Sequence, residues 1–282
     1  METAIVLALA AAALYGGSDF LGGLLSRRVH YGLIGLVGQS TAAFGGLVAA
    51  LSFGTAPGGS ALLWGMGAGL GGAVGTLALY RGLSRGRMNV AGPLSAVGAA
   101  GLPIPVDLLA GQRFTTLAVL GVLLAIPGIW LVSRQSGSGG DSGGVGEGLL
   151  AGLGFAGLFV CLGQAGDGAG LWPVASSQVT GAIVLAVFAA LTLPRTGGAG
   201  TAGGARRVPW KAIWPGALGV CATLLYFLST QEGTLAVSAV ITSLYPAFTI
   251  ALAALVLRER TNLTHGAGLA LCAASVGAFV VA

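Results

Sequence analysis

The stretch "LYGGSDFLGG" (14–23) places a carboxylate, Asp19, inside an apolar run of about two dozen residues. The next charge, Arg27, is eight residues on, about 12 Å along a helix at 1.5 Å per residue. A charged Asp near the centre of a membrane helix costs about 2.5–3.5 kcal/mol on insertion scales. Two readings of Asp19 stay open. It is a structural partner, in a helix–helix hydrogen bond or a salt bridge to an Arg snorkelling in from a loop. Or it faces an interior cavity, where it contacts a substrate or carries a proton. Tyr15 and Ser18 flank it, and Gly16, Gly17, Gly22 and Gly23 would give it room and water. Tyr80, Tyr226 and Ser229, with Thr230 and Gln231, gather at two further helix ends. Ser95, Thr242, Ser243, Tyr245 and Thr249 lie inside two other apolar runs. These groups are hydroxyls and phenols with one carboxylate, a set suited to holding a small molecule. Singly, Ser and Thr in membrane helices most often bond backbone or a neighbouring helix; as a set at matching positions they are candidate ligand contacts.

The elements that must position them are membrane helices. Of the 282 residues 55% are hydrophobic and only 7% charged, against about 25% charged in a soluble domain. Mean hydropathy is +0.91. Cys161, Cys221 and Cys272 are scattered, and His30 and His265 stand alone, so neither a metal site nor a disulfide framework is expected. No cofactor is expected either. The net charge of +5 reads as positive loops rather than a nucleic-acid footprint. The N-terminus carries Glu2 and no basic residue before the apolar run, unlike a signal peptide.

Ten apolar runs are long enough to span a bilayer: about 4–25, 32–53, 61–80, 90–110, 114–133, 147–165, 172–193, 211–231, 235–257 and 263–281. Twelve of the 13 Lys and Arg residues fall in the odd-numbered connections, among them Arg27, Arg28, Arg81, Arg85, Arg195, Lys211 and Arg260; Arg113 is the exception. The positive-inside rule then puts the odd connections in the cytoplasm and both termini outside. "GAGLGG" (67–72) matches a dinucleotide fingerprint, but it falls within span 3, where glycines serve close packing. "NLT" (262–264) abuts span 10 on the cytoplasmic side.

Residues 86–133 align without gaps on 233–280. Gly86 meets Gly233, Leu108 meets Leu255, and Gln112–Arg113 meets Glu259–Arg260. Five spans per half is an odd number, so the second half enters the membrane the opposite way round, the inverted-repeat plan of secondary transporters. The expected fold is all-α and integral to the membrane, with ten transmembrane helices as two inverted five-helix repeats. Residues 1–135 form the first repeat, 136–146 a Gly/Ser-rich linker and 147–282 the second repeat. Pro93 marks the start of span 4 and Pro246 breaks span 9, and carbonyls freed at such breaks can face a cavity. Gln39 and Gln178 are expected to be interhelical glue. Asp107, six residues before Arg113, is expected in an interfacial ion pair or solvated.

"SAVITSLYPAFTIALAALVLRER" (238–260), "YRGLSRGRMNVAGPLSAV" (80–97) and "LYGGSDFLGG" resemble the drug/metabolite transporter superfamily, specifically its ten-span, two-repeat EamA-like members. The resemblance covers nearly all of the chain. The family's interfacial glutamate is present as Glu259, with Gln112 in the first half. The Tyr-Pro of the second half has no counterpart at Val97–Ala99; Pro93, Pro103 and Pro105 serve there. The resemblance implies a small-metabolite carrier, often an exporter, with its cavity between the halves and neither nucleotide nor prosthetic group.

The reading that follows is a secondary transporter, not an enzyme, that exports a small metabolite by alternating access. With the basic groups confined to loops and helix ends, a neutral, zwitterionic or cationic substrate fits, such as an amino acid or a drug-like amine. Proton coupling would run through Asp19. The other partner is the lipid bilayer of a bacterial-type inner (plasma) membrane, and the chain is expected as a monomer or weak homodimer. A channel, a lipid flippase and, behind them, an integral-membrane enzyme are the alternatives.

Overall fold

A computed structural model describes residues 2–52, 58–85, 88–133, 144–166, 168–192, 210–257 and 263–281. The chain is all-α. Its helices are α1 (Glu2–Ser26), α2 (Tyr31–Ser52), α3 (Gly59–Ser84), α4 (Met88–Gly101), α5 (Pro103–Leu109), α6 (Thr116–Ser133), α7 (Val145–Gly163), α8 (Trp172–Thr192), α9 (Ile213–Glu232), α10 (Leu235–Thr242), α11 (Tyr245–Leu257) and α12 (Leu263–Val281). Consecutive α4 and α5 form one broken span, as do α10 and α11, which gives ten helical spans among the described residues. Six are long and apolar enough to cross a membrane by themselves, and the other four are shorter apolar helices. Most of the linker 136–146, the basic stretch 195–209, and Glu259 and Arg260 lie outside the described residues.

Apolar side chains on the rim stay exposed, among them Phe44, Leu63, Leu109, Leu191 and Leu255. With lipid as solvent no hydrophobic force drives helices together, so packing comes from close backbone approach at small residues. The core accordingly holds Ala8, Ala12, Ala68, Ala125, Ala151, Ala222 and Ala239, each essentially inaccessible. The "GAGLGG" glycines lie in mid-α3, where Gly69 meets the Ser177 carbonyl of α8 and Gly71 meets the α7 backbone. The chain is a multi-pass membrane protein.

Most of the extensive packings join a helix of the first five spans to one of the last five. Helix α3 packs on α7 and α8, α1 on α9 and α11, α2 on α8 and α9, α4 on α7, and α6 on α12.

The two breaks have different placements. Span 4 is interrupted at Leu102, immediately before Pro103, and not near Pro93, which lies within α4. Span 9 is interrupted at Ser243–Leu244, ahead of Pro246. Proline lacks the N–H that would continue the ladder and restricts the residue before it. The long arm therefore comes first in span 4 and last in span 9.

Candidate functional site

Helix α1 runs through the middle of the bundle, against α9, α10 and α11 and also α2 and α3. Its glycines are not open space. A Cβ at Gly16 would come within 2.7 Å of the Tyr245 carbonyl oxygen and 2.6 Å of the Phe248 Cβ, so Gly16 lets the start of α11 lie directly on α1. A Cβ at Gly22 would overlap the Tyr80 hydroxyl. The room expected around the carboxylate is thus partly filled by tyrosines drawn in close, and what remains is a defined cavity.

That cavity measures about 90 Å³, well above the roughly 10–15 Å³ that a single water needs. Its wall takes residues from α1, α2, α3, α7, α8, α9 and α11. The lining positions on α1, α2, α3 and α9 run from mid-helix toward the ends that carry Arg27, Arg28, Arg81, Arg85 and Lys211. On the wall, Phe159 packs against the ring of Tyr226, with centroids 4.4 Å apart, and Tyr15 lies 6.3 Å from Phe159.

Five of the residues singled out by sequence meet at this cavity: Tyr15, Ser18, Asp19, Tyr80 and Tyr245. Asp19 is partly buried and is the one charged side chain among the lining residues. Among the described residues it has neither the helix–helix hydrogen bond nor the salt bridge of the structural reading; its electrostatic partners are Tyr15, Tyr80 and Tyr245. Ser95 sits one layer out, with its Oγ 3.0 Å from the Tyr245 hydroxyl. Four candidates lie elsewhere. Tyr226 is fully buried and donates to the Phe159 carbonyl at 2.9 Å. Ser229 donates to the Tyr226 carbonyl one turn back at 2.7 Å. Thr242 faces the Ala8 carbonyl at 3.5 Å. Thr249 bridges α11 to α1 through the Gly16 carbonyl at 3.1 Å.

Gln39 and Gln178 link helices and line the cavity as well. The Gln39 amide donates to the Gln178 side-chain oxygen and, at 3.3 Å, to its carbonyl. The Gln178 amide donates to Thr223 Oγ1 at 3.0 Å, and the Tyr15 hydroxyl is 2.8 Å from the same atom. Thr223 and Thr76 are wall residues that the sequence reading did not pick out. Thr223 lies mid-span with no unusual neighbour, so only its spatial partners reveal it.

Asp107 is neither solvated nor paired with Arg113, as had been expected. It is buried, and its Oδ2 accepts the backbone N–H of Ala236 at 2.7 Å, at the first turn of α10. The free N–H groups and positive dipole end of a helix favour a carboxylate there. At the opposite end of the bundle, Glu147 of α7 pairs with Arg85 of α3 at 3.1 Å and lies 3.9 Å from Arg81.

Residues 143–281 match the EamA-like transporter family. This half of the chain is an EamA-like transporter family domain. The EamA-like family is a family of transporters, not of enzymes. A crystal structure described only as that of a protein, 16% identical, superposes on 100% of this chain and 97% of that one with a TM-score of 0.75. At that identity the likeness is one of fold, and it extends the ten-span architecture over the part that precedes the EamA-like domain. No curated protein matches the chain by sequence.

Proposed function

We propose that the chain is a secondary transporter that exports a small neutral, zwitterionic or cationic metabolite by alternating access. The observation that carries this is the central cavity between the two sets of five spans, with the lone carboxylate of Asp19 on its wall and no Arg, Lys or His among its lining residues. A phosphorylated substrate held there would need basic partners. Residues 1–135 and 147–282 act as inverted halves. The packing pattern supports this: exchanging span n with span n+5 turns the α1–α9 contact into α7–α3, α2–α9 into α8–α3 and α1–α11 into α7–α4, while α2–α8 and α6–α12 map onto themselves. Both termini are placed outside a bacterial-type inner membrane by the Lys/Arg distribution. Asp19 is the group proposed to change protonation or partner during the cycle.

The test is counterflow in proteoliposomes over a panel of labelled cations, zwitterions and neutral compounds. A carrier exchanges labelled substrate against a trapped unlabelled pool. Leak without exchange would identify a channel, and lipid scrambling without solute exchange a flippase. Robust sugar-phosphate exchange as the sole activity would overturn the substrate class.

A further inference from the structure

We infer that Gln39 and Gln178 form a two-position switch: their amide pair engages Thr223 in this structure and Thr76 in the state open to the other face of the membrane. The switch rests on the alternating inverted halves proposed above. A backbone carbonyl, which only accepts, fixes the orientation of the pair. The Gln39 amide atom 3.3 Å from the Gln178 carbonyl must be its nitrogen. That nitrogen also donates to the Gln178 side chain, so the Gln178 atom facing it is the oxygen. The Gln178 nitrogen is then the atom turned to Thr223, and it donates to Oγ1 at 3.0 Å. Both Gln39 hydrogens go to Gln178, and none is left for a partner on α3.

Thr76 is the partner that goes without. In the register that lays 86–133 over 233–280, Thr76 falls on Thr223. Both threonines line the cavity, as both glutamines do. Thr76 lies against α2 one turn from Gln39: a Cβ at Gly35 would sit 4.0 Å from the Thr76 methyl. Its hydroxyl makes no hydrogen bond among the described residues. The two glutamines are related by the same exchange of halves. The 139 positions between them carry Gly46 onto Leu185 and Gly35 onto Val174. The packing of Gly35 on Leu185 thus falls within one residue of the packing of Gly46 on Ala175. This offset is smaller than that between the threonines, and the connection after α8 is longer than the one after α2. The amide pair therefore maps onto itself with donor and acceptor reversed. In the reversed arrangement Gln178 gives both hydrogens to Gln39, and the Gln39 nitrogen turns to Thr76. The amides and their threonine keep the same set of bonds in either arrangement, as a bistable element requires.

The experiment is cysteine labelling of the full chain from either face. Cys161, Cys221 and Cys272 are replaced by alanine, and Ser177→Cys on the cavity wall is the single target. A membrane-impermeant methanethiosulfonate reagent is applied to right-side-out and to inverted vesicles. Thr76→Val removes the acceptor of the reversed state, and Thr223→Val removes that of the state in this structure. The ratio of the two labelling rates is expected to move about threefold in opposite directions in the two variants, the weight of one hydrogen bond between membrane helices. Thr76→Ser and Thr223→Ser keep the hydroxyl and should leave the ratio near that of wild type. A merely structural Thr76 gives no shift on conversion to Val, since it loses no bond made in this structure. That result, or a shift of both Val variants in the same direction, would overturn the switch. If Thr223→Val fails to fold, Thr76→Val against wild type decides alone. Opposite shifts without counterflow would leave the switch standing and sink the carrier reading. Counterflow with unmoved ratios would do the reverse.

Discussion

The carboxylate of Asp107 accepts the backbone N–H of Ala236 at 2.7 Å, and these two residues stand on the short arms of the two broken spans. In the gapless repeat register Leu102 corresponds to Thr249 and Ser243 to Ala96, so the breaks are not at equivalent positions. Spans 4 and 9 run in opposite directions. A long-then-short span beside a short-then-long one brings both short arms, α5 and α10, to the same end of the bundle. There they pack together. The Asp107–Ala236 bond fastens that end.

Removing this fastening should cost stability. A buried N–H left without its acceptor costs about 1–3 kcal/mol, so Asp107→Ala, which strips the Ala236 N–H of its partner, should lower the melting temperature in detergent, with Asp107→Asn intermediate. A thermal melt of the three proteins checks this, and an unchanged melting temperature for Asp107→Ala would contradict it.

Asp19→Asn should leave the fold intact, since the amide is nearly isosteric and cheaper to bury. In proteoliposomes with a pH gradient it should abolish gradient-driven accumulation, while passive exchange persists. Accumulation at the wild-type level would end the coupling role. Loss of expression and melting temperature, with coupling retained in what survives, would return Asp19 to a structural part.

Thr223→Val replaces a hydroxyl by a methyl of similar shape and leaves the Tyr15 hydroxyl without its partner and the Gln178 amide without its acceptor. An unsatisfied buried polar group costs about 1–3 kcal/mol, although hydrogen bonds between membrane helices average only about 0.6 kcal/mol. The expected outcome is a modest drop in melting temperature with a clear change in substrate affinity, because Tyr15 and Gln178, both on the cavity wall, lose a shared partner. Equal affinity for wild type and variant in a binding titration would count against a role for this chain of bonds in recognition.

Gly16→Ala should reduce the yield of folded protein sharply, because its Cβ would overlap the Tyr245 carbonyl and Phe248. Gly266→Ala, with nothing within 4 Å of the new methyl, should be tolerated and even favoured by helix propensity. Size-exclusion profiles of the two variants read the contrast directly.

Apolar length and the Lys/Arg pattern made the ten spans legible from the sequence, since a helix must cover the bilayer thickness and satisfy its own backbone. Charge cost made Asp19 conspicuous: one carboxylate in an apolar run is a local anomaly that needs no structure to see. The meeting of Tyr15, Ser18, Tyr80 and Tyr245 around Asp19 was decided in three dimensions. Tyr80 reaches α1 because Gly22 has no side chain, and Tyr245 because Gly16 has none. The same holds for Thr223, an ordinary mid-span threonine until Tyr15 and Gln178 both find it, and for Asp107, whose partner lies 129 residues away. Which hydroxyls reach across to another helix, as Ser18 does to the Pro215 carbonyl and Thr249 to the Gly16 carbonyl, depends on which carbonyl that helix brings within reach. Local sequence fixes what each residue can offer, and the packing of distant helices fixes what it meets.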